Sequence, residues 1–352
     1  MSRFVHARAL ERVESICDTA EDAASLRTEL LAEFRRSIRF HAHVWVLTDP
    51  GTGVGSAPDA RIPCLPELPA LIRLKYLTRV NRWTSLASPP VASLRAATDG
   101  DLPASALWAG VLSRYAVSDV LSAVFRDRYG CWAFLDLWRI GDDSSFTDGE
   151  VAFLGDAAAP VTAAIRRCQA ATFSTGRPTA PPPGPVVLML SPALEVLGQT
   201  PETREYLARL LPPSGERSPI PASAYNVAAQ LLAVEAGIDA HAPSARVHLS
   251  DGFWLTLRAA RLSGEGPPGG RSIAVTIEPT PPAARIDVFA RAFGLSARET
   301  ELLAQLASGV DTRELARLLF VSENTVQDHL KSVFAKTGTH SRPTLLARSL
   351  GT

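Results

Sequence analysis

The 352-residue sequence predicts two successive α+β domains followed by an all-α domain of four helices. Three observations lead there. Two proline-rich stretches, RPTAPPPGP at Arg177–Pro185 and PTPPAA at Pro279–Ala284, divide the chain, and such segments read as stiff, solvated connectors. Ahead of each, helical apolar periodicity alternates with short β-branched and aromatic runs bounded by turn residues. After the second, apolar residues recur at helical spacing. The expected boundaries are 1–172, a linker at 173–185, 186–278, a second linker at 279–290, and 291–352.

Composition narrows the class. With 46% hydrophobic and 20% charged residues the chain can bury real cores. The formal net charge is zero, so any contact with nucleic acid has to be local. Cys17, Cys64, Cys131 and Cys168 are far apart, show no metal-ligand spacing, and read as buried thiols of a reducing compartment. There is no basic-then-apolar leader and no run of eighteen apolar residues, so a cytoplasmic protein without a membrane partner is expected. Lysine occurs only three times against thirty-three arginines, and Lys331 and Lys336 fall on one short C-terminal segment.

In the first domain Leu26, Leu30, Phe34 and Ile38 form an i, i+4 helical stripe. Val44–Leu47 is a short strand closed by the turn signal Asp49-Pro50-Gly51. A helix follows over about 67–80. Val117–Arg126 and Cys131–Arg139 form a hairpin turning at Tyr129-Gly130. Thr147 caps a long helix to about Ala171, with Asp148 and Glu150 in its electropositive first turn. This order, and the segments CWAFLDLWR and FTDGEVAFL, resemble a GAF sensory domain.

The second domain reads as strands Val186–Leu190 and Leu194–Leu197, helices at Glu202–Leu211 and Ala222–Glu235, and strands Arg246–Leu249, Trp254–Arg261 and Ile273–Glu278. Ser250-Asp-Gly252 is a hairpin turn between the first two of those last strands. The arrangement resembles a PAS fold.

The last domain carries the chemistry. Ser296 and Glu299 have capping-box spacing ahead of Leu302, Leu303, Leu306 and Ala307, and Gly309 lies past the end. Asp311 and Glu314 repeat the signal for a short helix with Leu315, Ala316 and Leu319 facing inward. Ser322 caps a third helix anchored by Val326, Leu330 and Phe334. Its opposite face carries Asn324, Thr325, Gln327, Asp328, Lys331 and Ser332, and it ends at Lys336 and Gly338. Pro343 fits the first turn of a fourth helix with Leu345, Leu346 and Leu350. A helix enters the major groove only if one face is held by packing while the other is polar. A glutamine amide can pair with adenine, and a lysine can reach guanine or phosphate.

The run LSARETELLAQLASGVDTRELARLLFVSENTVQDHLKSVFAKTGTHSRPTLLA resembles the helix-turn-helix domain of LuxR-type (NarL-type) regulators. LSARE, the ASG glycine, ELA, SENTV, the histidine of DHL, and KTG followed by SR fall in register. The resemblance implies that the third helix enters the major groove and the fourth helps pair two domains. By position, Asn324, Thr325, Val326, Gln327 and Lys331 are DNA-facing, with Lys336 and Arg342 as backbone contacts. Gln327 stands where many relatives carry lysine, and Thr337 where many carry leucine. Residues 285–352 hold nine Lys/Arg against seven Asp/Glu, so moderate affinity that depends on dimerisation is expected.

Enzymatic motifs are missing: no G-x-S-x-G elbow, P-loop, H-E-x-x-H or dinucleotide fingerprint occurs. A receiver-type acidic pair and a flavin-reactive cysteine motif are absent too, and the cofactor is left open by the sequence. His41 and His43 lack a third ligand, so no metal is expected. Cys131 lacks a nearby cation and reads as inert. Trp45, Trp83, Trp108 and Trp132 are candidates for a ligand pocket, although an aromatic core accounts for them more simply. The expected function is a non-enzymatic, homodimeric transcription regulator that binds double-stranded DNA under control of a small molecule or partner at the front domains. RNA polymerase is a further candidate partner. The alternative is a constitutive DNA binder whose front domains only set dimer geometry.

Overall fold

Helices α1 (Arg3–Thr19) and α2 (Ala23–Ser37) open the chain, and Asp22 caps α2 by accepting the Ala24 and Ser25 N–H groups. Strands β1 (Ala42–Thr48) and β2 (Gly55–Arg61) follow, then helix α3 (Leu68–Leu77), strand β3 (Val91–Ser93) and the short helices α4 (Leu94–Ala97) and α5 (Ala106–Gly110). The long hairpin β4 (Val117–Asp127) and β5 (Gly130–Ile140) precedes helix α6 (Asp148–Ala171). Thr147 and Glu150 form the expected capping box on α6. The computed structural model describes residues 3–86, 88–141, 145–173, 186–203, 207, 221–249, 253–262 and 271–351.

The first sheet is antiparallel with strand order β2-β1-β5-β4-β3. Alternation sends Trp45, Leu121, Phe125, Leu135 and Leu137 against Leu26, Leu30, Phe34, Phe153 and Val161 of α2 and α6. The other parity sends Val44, Val46, Val120, Val124, Phe134 and Trp138 toward α3 and α5. Both faces are covered, which is why β4 and β5 read as nearly unbroken apolar runs. Gly130 is obligatory at the hairpin turn, because its φ is 156° and a Cβ there would sit 2.3 Å from the Pro50 carbonyl oxygen.

The second domain repeats the order. Strands β6 (Val186–Leu190) and β7 (Val196–Gln199), helix α7 (Ala222–Glu235), and strands β8 (Ser244–His248), β9 (Trp254–Arg261) and β10 (Ile273–Pro279) give the sheet β7-β6-β10-β9-β8. Its inner face, including Leu188, Val247, Leu257 and Val275, packs on Ala224, Val227 and Ala228 of α7. The same apolar cluster runs on into Val46, Tyr76 and Phe134 of the first domain. Arg82 donates to Asp239 at 2.6 Å across this boundary, and both side chains are buried. Most of the expected helix at Glu202–Leu211, the turn Ser250–Gly252 and most of the first linker, 174–185, lie outside the described residues.

Two linker expectations are corrected. Phe173, placed at the start of the first linker, is fully buried, stacked on Trp254 with centroids 5.0 Å apart and meeting Phe289 edge-on at 5.2 Å. The second proline-rich stretch leads into a helix, α8 (Pro282–Ala292), where a linker was expected over 279–290. Pro282 sits in its first turn, where a missing N–H costs nothing. Ile286, Phe289, Ala290 and Phe293 then recur at i, i+3, i+4, i+7 and bury it. The final domain follows as α9 (Ala297–Ala307), α10 (Thr312–Leu318), α11 (Glu323–Thr337) and α12 (Arg342–Leu350).

Candidate nucleic-acid interface

The outer face of α11 is held by an inner face and a buried acid. Val326, Leu330 and Val333 pack with Leu302, Leu303, Leu306 and Leu315 of α9 and α10. Ser322 caps α11 by accepting from the Thr325 N–H at 3.1 Å, and Gly338 closes it in the left-handed region. Glu299, expected only as half of a capping box, does more. It accepts from Ser296 N–H, Ser332 Oγ and Lys336 Nζ, each at 2.6 Å, and so ties the start of α9 to the last turns of α11. Burial alone would push its carboxyl up, yet these donors hold it at about 2.

Asn324, Gln327, Asp328 and Lys331 are all exposed at 324, 327, 328 and 331, one continuous helical stripe. Lys331 Nζ lies 3.3 Å from Asp328, with both side chains about three-quarters exposed at 77% and 75%. The stripe is polar, nearly neutral, and exposed among the described residues. It has the character of a surface that reads base edges by hydrogen bonding.

Other expected contact residues have different duties. Val326 was placed among the DNA-facing residues, but it is 0% exposed and belongs to the core. Thr325 is half-buried, with its hydroxyl 2.9 Å from Ser322 Oγ. Lys336 is committed to Glu299, and Arg342 donates to Thr312 Oγ1 at 2.6 Å, so both brace the domain. Thr337, standing where leucine is usual, is buried and bonds the Val333 carbonyl and Thr339. Arg348 of α12 donates to the carbonyls of Phe173 and Thr337, both at 2.6 Å, and so fastens the domain to the end of α6.

A second feature lies in the first domain, between the sheet and α3. A cavity open to the centre of a water-sized sphere over about 60 Å³ is walled by Val46, Ile72, Leu107, Val120, Phe134 and Trp138, among others. Lys75 and Asp136 form a buried ion pair in that wall, with Nζ 2.7 Å from Oδ2, and Ser122 Oγ donates to Asp136 at 2.7 Å. The four tryptophans expected around a pocket do not line this cavity. Trp45 stacks on Phe125 under the helices, while Trp83, Trp108 and Trp132 donate to Gly53 O, Val117 O and Asp127 respectively. Trp138 does line it. Strand parity separates Trp138 from Trp45, since Trp138 shares the face of Val44 and Val46 whereas Trp45 points the other way. Trp83 and Trp108 lie off the strands, and a bulge opposite Phe125 and Arg126 turns Trp132 to the other face. Among the described residues no three His, Cys, Asp or Glu are placed to hold a metal, and no helix is long and apolar enough to cross a membrane.

Comparison with known proteins bears out the resemblance of the C-terminal segment. Residues 294–348 match the family of bacterial regulatory proteins, luxR family. The CsgBAC operon transcriptional regulatory protein of Escherichia coli K12 is 46% identical over 48 residues, 14% of this chain and 22% of that protein. The probable HTH-type transcriptional regulator GfsR of Streptomyces halstedii is 40% identical over 57 residues, 16% and 24% of the two chains. The oxygen regulatory protein NreC of Staphylococcus aureus JH9 is 41% identical over 56 residues, 16% and 26%. This chain thus spans about a quarter of the length of these relatives. SdiA of Escherichia coli aligns over 97% of this chain and 96% of its own, with a TM-score of 0.37 and 11% identity, too low to carry an argument about the front domains.

Proposed function

We propose that this chain, whose residues 294–348 are a DNA-binding helix-turn-helix domain of the luxR family, is a transcription regulator that reads DNA through α11 and is tuned by its two front domains. The observation that carries the reading is the exposed stripe Asn324, Gln327, Asp328 and Lys331 on a helix whose opposite face is locked by Val326, Leu330 and the Glu299–Lys336 pair. Gln327 supplies the amide for an adenine edge and Lys331 the cation for guanine or phosphate. A homodimer would place two such helices on successive half-sites.

The shared strand order of the two sheets supports reading the front domains as GAF-like and PAS-like sensors. Control needs a ligand that prefers one arrangement of the domains over another. Continuity of the core from the first sheet through α7 supports such a path. The test is selection from a random DNA pool by the full chain and by Gln327→Ala/Lys331→Ala. Enrichment of an inverted repeat by the wild type alone is expected. Equal enrichment by both proteins would refute α11 as the reader.

A further inference from the structure

We propose that the cavity beside Lys75 and Asp136 is an effector site for a compact, neutral, mainly apolar molecule carrying one carbonyl or similar acceptor. This rests on the reading of the front domains as sensors. The lining is apolar apart from Lys75, Asp136, Tyr76, Asn226 and the indole N–H of Trp138, which has no hydrogen-bond partner among the described residues. Four of these are joined to partners already. Asp136 holds Lys75 through both oxygens, at 2.9 and 2.7 Å. Tyr76 accepts from the Gly55 N–H at 2.9 Å, and Asn226 donates to the Gly55 carbonyl at 3.0 Å.

The remaining hydrogen-bonding capacity defines the ligand. An ammonium has three N–H groups. Asp136 is the only hydrogen-bond partner given to Lys75 among the described residues, and two of those groups suffice for its oxygens. One N–H is left beside the cavity. Tyr76 keeps its hydroxyl proton in the same way, since its oxygen accepts from Gly55. Both groups call for an acceptor. The ion pair is neutral as a unit, so a charged ligand would lose its hydration without gaining a counter-charge. The pair itself is a poor stabiliser, because well-packed apolar residues in its place are commonly as good or better. One of only three lysines in the chain is spent here.

Size sets the other limit. The space open to the centre of a water-sized sphere is about 60 Å³, more than the minimum a single water needs but small for a ligand site. A small ring or short chain fits, whereas a flavin or haem does not. Ala222 and Asn226 of α7 contribute to the lining, so the occupant touches the second domain as well as the first.

The test uses the full chain with cyclohexanone as probe, methylcyclohexane as its shape mimic without an acceptor, and hexanoate as the charged control. Binding is followed by ligand-observed magnetisation-transfer NMR and by Trp138 fluorescence in competition. Saturable ketone binding is expected, with the hydrocarbon weaker by about tenfold or more, the worth of a hydrogen bond to a charged donor, and no hexanoate binding. Leu71→Trp fills the cavity and should abolish ketone binding. Should that variant not fold, Lys75→Met/Asp136→Leu removes the ammonium but keeps the walls and the Tyr76 hydroxyl, and should narrow the advantage of the ketone over the hydrocarbon; an unchanged advantage would overturn the role of Lys75. Equal affinities for the two probes in the wild type, or no ketone binding by the folded chain, would overturn the proposal. DNA selection by the same unliganded protein is scored separately, so a failed effector site and a failed DNA reader give different results.

Discussion

Asp49 and Arg246, 197 positions apart, meet in a two-pronged ion pair with Nε–Oδ2 at 2.6 Å and Nη2–Oδ1 at 2.7 Å. Asp49 belongs to the β1–β2 turn of the first domain, and Arg246 to β8 of the second. The third guanidinium nitrogen donates to Asp287 at 2.7 Å, on the helix that leads into the DNA-binding domain. Burial would lower the pKa of Arg246, but Asp49 and Asp287 raise it above its ordinary value. Both front domains and the helix that leads into the DNA-binding domain therefore converge on one side chain, and β1, whose Val44 and Val46 line the cavity, ends one residue before Asp49.

Arg246→Met leaves Asp49, 1% exposed, without its counter-ion. Removing one partner of a buried pair costs about 3–5 kcal/mol. Urea unfolding of the full chain should show a loss in that range, and adding Asp49→Asn should recover part of it. A loss below ~1 kcal/mol would mean that the pair behaves as a solvated one, and the convergence would then lose its energetic meaning.

Much of this was readable in advance, because local rules and tertiary packing agree at many positions. Thr147, Ser296, Asp311 and Ser322 all cap the helices that their spacing announced. Runs of β-branched and aromatic residues bounded by turn signals placed the β4–β5 hairpin and strand β9 with little error. What escaped depends on partners distant in sequence. Nothing local tells that Glu299 will meet Lys336, or that Asp49 will meet Arg246. Prolines concealed α8, since proline breaks a helix interior but fits its first turn. The pocket tryptophans were chosen by residue type, whereas the face of the sheet decides what a strand residue touches.

Asp328 offsets the charge of Lys331 on the exposed face of α11. It stands beside Lys331 with both side chains well exposed, so it competes with phosphate for the same ammonium. Asp328→Asn should tighten binding to selected DNA by about three- to tenfold at low salt, with the gain shrinking as salt rises. Lys331→Ala should reduce the slope of log K against log salt by about 1. Fluorescence anisotropy over a salt series measures both. No change of slope in Lys331→Ala would place this lysine away from the DNA backbone.

All four cysteines are buried. Desolvation raises Cys17 to about 12 and both Cys64 and Cys131 to about 11. At pH 8 roughly one in a thousand or fewer of these three thiols is ionised in place, and the thiolate is the reactive form. Dithionitrobenzoate should therefore label almost none of them in the native chain and all of them in guanidinium. Fast labelling of Cys131 in the native state would contradict its burial and revive a redox role for the hairpin.

Glu299 makes the DNA-binding domain sensitive to acid in a defined window. Its carboxyl is held at about 2 when folded, against an ordinary value of 4.5. The folded state thus binds the proton less readily than the unfolded chain, and stability falls as the pH drops. The contribution is fully present above about 4.5 and is lost progressively as pH falls through about 2. Its size is on the order of 2 kcal/mol, because the side chain is buried and meets three donors. Glu299→Gln preserves the shape of the capping box but removes the charge that holds Lys336. That variant should lose about 1–3 kcal/mol of stability at pH 7 and show a flatter dependence between pH 4.5 and 2, followed by circular dichroism of the full chain in denaturant. An unchanged pH profile would show that Lys336 and Ser332 do not hold the carboxylate in solution, and the rigidity of α11 would then have to come from its apolar face alone.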